Sequence, residues 1–130
     1  MKASGELYNG NMTKEPKSDL EKRTAKFAKD VRALVKKIPK TIENVEDGRQ
    51  LIRSSGSVVA NYIEANECVG DDDFIYRNRL CKKEAKESRL WLSLLDFYSK
   101  DELEKTRKHL MQEAKELTLI FASIVRNKTK

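Results

Sequence analysis

Apolar residues return every third or fourth position in four successive stretches between about Ser18 and Asn127. In the first, Leu20, Phe27, Ala28, Val31, Leu34, Val35 and Ile38 follow the i, i+3, i+4, i+7 rhythm of one buried helical stripe. Ser18 or Asp19 can cap its start, and Pro39 ends it, because the residue before a proline is pushed out of helical geometry. A linker from Lys40 to about Asn44 leads to a second helix with apolar Leu51, Ile52, Val58, Val59, Tyr62 and Ile63. Gly70 stops it, and Asp71-Asp72-Asp73 opens a third, where aspartates in the first turn suit the helix dipole. That third stretch carries Phe74, Leu80, Cys81, Ala85, Ser88, Trp91, Leu92, Leu95 and Tyr98. Ser99-x-x-Glu102 reads as a capping box for the fourth, which buries Leu103, Leu110, Ala114, Leu117, Ile120, Phe121, Ile124 and Val125.

Helices of this length run to about 30–38 Å, and the connections are short, so neighbours are expected antiparallel. The expectation is an all-α, antiparallel up-down-up-down four-helix bundle over residues 18–127. Residues 1–17 are polar and without period, which reads as a disordered leader, and residues 128–130 as a frayed basic tail. With 130 residues in all, one domain is the economical reading. Only 5 glycines and 2 prolines punctuate the chain, which favours long helices.

Charge adds a direction. Lys and Arg outnumber Asp and Glu by 27 to 21, a net +6, which suits an anionic partner such as nucleic acid or a membrane surface. A soluble surface with a basic bias accounts for it equally. No apolar run approaches the roughly 20 residues of a membrane span, and the first residues lack a secretory apolar core. Cys68 and Cys81 are expected to be free thiols in a reducing, cytoplasmic setting. With one histidine, His109, they make no structural zinc site unaided, and no metal or cofactor is expected.

On a wheel of about 100° per residue, Lys22, Lys26, Lys29, Lys36 and Lys40 gather opposite the apolar stripe of the first helix. Arg79, Lys82, Lys83 and Lys86 make a second stripe on the third. Each can follow a phosphate backbone, since closely spaced cations release condensed counterions on meeting phosphates. Each also reads as a solvated face laced with acids such as Glu84 and Glu87. The second helix is different: opposite its apolar residues lie Gln50, Arg53, Ser54, Ser57, Asn61 and Glu64. Small hydrogen-bonding side chains let another helix come close, so this face is expected to be a second packing surface, a polar layer inside the bundle or a subunit contact. Two covered sides would call for a homo-oligomer. His109 reads as a surface residue, no Glu-x-x-His pair supports a di-iron centre, and no catalytic constellation is present.

The string Gly48-Arg49-Gln50-Leu51-Ile52-Arg53-Ser54-Ser55-Gly56-Ser57-Val58-Val59-Ala60-Asn61-Tyr62-Ile63-Glu64-Ala65 resembles the signature of the four-helix-bundle proteins encoded in intervening sequences of bacterial 23S rRNA genes, also labelled S23 ribosomal proteins. Asp19 to Thr24, Leu34 to Thr41 and Lys83 to Leu92 fit the same pattern, so the likeness spans about Asp19 to Val125. Val59 stands where members commonly carry glycine. The resemblance implies a ring-like homopentamer. It also implies kinship with the accessory variability determinant of diversity-generating retroelements, a basic pentameric barrel that works with a reverse transcriptase and its template RNA. It brings no catalytic residues, and it gives Arg53, Ser57, Asn61 and Glu64 a structural part. The leading expectation is a non-enzymatic, oligomeric RNA- or DNA-associated accessory protein. The alternative is a scaffold that recruits a partner enzyme with no nucleic-acid role of its own.

Overall fold

The computed structural model describes residues 17–129, and the expected leader lies almost wholly outside them. Four helices follow in order: α1 (Lys17–Val35), α2 (Ile42–Glu67), α3 (Asp71–Leu94) and α4 (Asp101–Lys128). α1 packs on α2, α2 on α3, α3 on α4 and α4 back on α1, whereas the backbones of α1 and α3 do not approach closely, nor do those of α2 and α4. This is the antiparallel four-helix bundle, with α1 diagonal to α3 and α2 diagonal to α4. The diagonals meet only through long side chains at the centre, as where the Tyr62 and Phe121 rings stand 5.8 Å apart.

The apolar rhythm fills the interior. Leu20, Phe27, Val31 and Leu34 from α1, with Ile38 just beyond it, meet Leu51, Val58, Tyr62, Cys81, Ala85, Leu92, Leu110, Leu117, Ile120 and Phe121 in one core. Each large side chain taken fully out of water contributes about 1.5–3 kcal/mol, so the seam between helices, not helix propensity, holds the chain together. Burial pushes the Cys81 thiol up to about 12, so it packs as a small neutral group. α1 is fastened to α4 by Arg23. Its guanidinium grips Glu113 at 2.7 and 2.8 Å and Glu116 at 2.8 Å, a bidentate and largely buried arrangement.

The element boundaries correct several expectations. Ser18 and Asp19 lie inside α1 rather than capping it. Asn44 belongs to the first turn of α2, not to the linker: Thr41 is the cap, its hydroxyl accepting from the Asn44 N–H at 3.1 Å. α3 ends at Leu94, so Tyr98 is not on it and is exposed, and the expected capping box does not form, because α4 opens at Lys100 with no side-chain cap. The chain between them turns through two left-handed residues, Tyr98 (φ 53°) and Ser99 (φ 69°). Burial of Phe97, fully enclosed, drives that turn, and the Asp96 carboxylate fixes it by accepting the Tyr98 N–H at 3.0 Å. Ile63, expected in the core, is 41% exposed. α4 runs through Lys128, whose ammonium lies 3.2 Å from Asp71.

One cap comes from a distant part of the sequence. α3 has no basic residue in its last turn, and Arg107 on α4 supplies the missing donors. Its guanidinium donates to the carbonyls of Leu92 at 3.1 Å, Ser93 at 3.3 Å and Leu95, bonds Glu104 at 2.6 Å, and lies 4.2 Å over the Phe97 ring.

Candidate nucleic-acid interface and the polar seam

The two expected basic stripes occupy diagonal corners of the bundle, since α1 and α3 lie across it from each other. Within one subunit they cannot form a continuous patch. Their members also differ in freedom. Lys26 is exposed but bonds Asp30 at 2.6 Å one turn on, which raises its pKa above the ordinary value through that hydrogen bond and the carboxylate charge. Lys83 lies 3.8 Å from Glu87 and 4.0 Å from Glu84. Lys22, Lys29, Lys36, Lys40, Arg79 and Lys86 are exposed and Lys82 half-buried, and none of these seven has a carboxylate partner among the described residues. Lys36 and Lys40 are not on α1, which stops at Val35; they sit on the turn and connection that follow.

A more coherent basic edge forms where α1 meets α2. Arg32 reaches across to the Ile52 carbonyl at 3.4 Å, with its Nη2 3.2 Å from where a Cβ at Gly56 would stand, so the glycine leaves room for the crossing. Lys29 precedes Arg32 by one turn of α1, and Lys36, just past the helix end, donates its N–H to the Arg32 carbonyl at 3.2 Å. Lys40 and Arg49 line one shallow groove on the same side, together with Val35, Val45 and Ile52. Arg49 is exposed and also lacks a carboxylate partner among the described residues.

The unusual face of α2 turns toward α3. The Ser54 and Ser88 hydroxyls lie 2.8 Å apart with both residues fully buried. Arg53 reaches Glu84 at 3.3 Å and Glu87 at 3.4 Å, and donates to the Gln50 side-chain oxygen at 3.3 Å. Asn61 donates to the Ser57 carbonyl at 2.9 Å and accepts from Arg77 at 3.0 Å. Glu64 alone of the six is exposed with no side-chain partner among the described residues. The polar face is therefore a seam inside the bundle. Both covered sides of α2 are covered by the same chain, so this face gives no reason for a second subunit.

The model of the 23S rRNA-intervening sequence protein family matches residues 17–121, the signature stretch of α2 and most of all four helices included. The chain belongs to this family. A solved structure described as a protein with unknown function from the S23 ribosomal protein family of Bacteroides thetaiotaomicron VPI-5482 is similar over 85% of this chain and 97% of its own, with a TM-score of 0.69. At 23% identity, that likeness speaks for the fold. No curated protein matches.

In this chain, the signature stretch supplies the α2 side of the polar seam: Arg53, Ser54 and Asn61 bond side chains of α3. Its role here is to set helix spacing and register, as hydrogen bonds between buried hydroxyls demand a fixed approach. Sequence reasoning missed Arg49, Arg89 and Lys115 as surface cations. Arg89 continues the spacing of Arg79, Lys82 and Lys86 by another three residues and was legible by the same count. Arg49 and Lys115 join cationic groups only through packing of a neighbouring helix. Among the described residues, no cluster of three or more His, Cys, Asp and Glu is placed to hold a metal ion, and no helix is long and apolar enough to cross a membrane.

Proposed function

We propose that this protein is a non-enzymatic, RNA-associated accessory protein that works as a homo-oligomer and holds nucleic acid by its phosphate backbone. The observation that carries the reading is the α1–α2 edge, where Lys22, Lys29, Lys36, Lys40 and Arg49 stand exposed without carboxylate partners among the described residues. What favours phosphate contacts is that these cations gather along one edge with no carboxylate bonded to them, unlike Lys26, Arg53, Lys83 and Lys128 elsewhere on the surface. Recognition would be electrostatic and weakly sequence-specific, because phosphate contacts position a nucleic acid without reading its bases. The pentamer is what the family resemblance implies, through the kinship with the accessory variability determinant that comes with it.

Filter binding of an RNA duplex across a salt series tests this. Five phosphate contacts give a slope of log K against log salt of about −4.5, a loss of about 500-fold between 50 and 200 mM. Neutralising Lys29, Lys36 and Arg49 to glutamine should flatten the slope to about −2. A flat slope in the parent, or an unaltered one in the variant, sinks the proposal. Native mass spectrometry after nuclease treatment checks the subunit number.

A further inference from the structure

On the opposite side of the bundle, α3 and α4 enclose an open groove of about 370 Å³. Lys86, Arg89 and Lys115 line it, with Leu90, Met111 and Leu119, and no carboxylate does. None of the three cations has an acid partner among the described residues. Leu90 is 50% and Leu119 43% exposed, so water touches apolar surface between unneutralised charges. A nucleic-acid backbone would neutralise the cations and leave both leucines wet. A second copy presenting its α1–α2 edge would bring charge of the same sign. An acidic amphipathic helix answers both features, with apolar side chains for the leucines and carboxylates for the cations.

We infer that this groove docks an acidic amphipathic helix of a partner protein. The stretch from Lys86 to Ser93 spans about 11 Å, two turns, enough to seat apolar anchors at i and i+4 of such a helix. Glutamates flanking those anchors would meet Lys86, Arg89 and Lys115 at the margins. The inference does not rest on the nucleic-acid reading, which uses the other edge of the bundle.

The probe is a fluorescein-labelled helical peptide of about 14 residues with two leucines four apart and flanking glutamates, followed by anisotropy on the full chain. Saturable binding is expected, weakened at least about tenfold by Lys86→Glu with Lys115→Glu, and likewise by Leu90→Ser with Leu119→Ser. Peptides with glutamate replaced by glutamine, or leucine by serine, should bind correspondingly less. If the charge-reversed chain fails to fold, Lys86→Gln with Lys115→Gln takes its place. Equal binding of all peptides, or of all variants, overturns the inference. So does RNA binding that falls with the groove variants while no peptide binds, which gives the groove to nucleic acid. Sedimentation showing that the charge variant breaks an oligomer assigns the groove to a neighbouring copy and overturns it as well.

Discussion

Replacing Asn44 by alanine should cost this small protein a large part of its stability. Asn44 is 1% exposed and ties the two loops at one end of the bundle. Its side-chain amide donates to the Pro39 carbonyl at 3.0 Å and the Asp96 carbonyl at 2.7 Å, while its carbonyl oxygen accepts the Asp96 N–H at 3.0 Å. Alanine strands one donor and two acceptors. A stranded buried group costs about 1–3 kcal/mol, and the outer side of Asp96 reaches water, so a total of about 3 kcal/mol is expected. Urea unfolding followed by circular dichroism should show the midpoint fall by about 2 M at an unchanged slope of about 1.5 kcal/mol/M. Asn44→Asp should be worse at pH 7, because it aims a carboxylate at two carbonyls, and should recover at acid pH once protonated to a donor. A midpoint shift under about 0.5 M for alanine, with the slope unchanged, would refute the assignment of the loop contact to this side chain.

Ser54→Ala should cost about 1–2 kcal/mol by leaving the Ser88 hydroxyl unpaired, and Ser54→Ala with Ser88→Ala should cost less than the two singles together; additivity in the double-mutant cycle would remove the bond from the account. Ser99→Gly should raise the melting temperature by a few degrees, since φ 69° penalises a side chain by about 1 kcal/mol; no rise in calorimetry argues that the turn is unstrained. The Cys81 thiol, held at about 12 against an ordinary 9.0, keeps its full contribution below pH 9 and loses it as pH climbs from there toward 12, because the unfolded thiol ionises first. Cys81→Ala should therefore show a shallower alkaline decline than the parent in urea titrations at pH 8 to 11, and parallel declines would contradict the buried neutral thiol.

The helices were readable because their determinant is local. Spacing alone placed Phe27, Val31, Leu51, Val58, Leu117 and Phe121 in the core, where they are buried. The α3–α4 connection was not readable, because its shape comes from burying Phe97 and capping α3 with Arg107, both long-range effects. Asn44 is a similar case: its partner Asp96 is fifty-two positions away, and no local pattern announces it. The polar face of α2 was recognised as a covered surface, but only packing shows that α3 covers it. The basic stripes were visible as residue lists, yet their separation onto diagonal corners is a property of the bundle, and so is the union of Arg49 with the cations of α1.

The Asn44 clasp makes the two ends of the molecule unequal. Two loops are locked together at one end, whereas the other holds the turn at Gly70, whose backbone (φ 95°) has open space around it. Breathing of the bundle should start at the Gly70 end and fade toward the clasp, so backbone amides will trade deuterium along a gradient that runs the length of the helices.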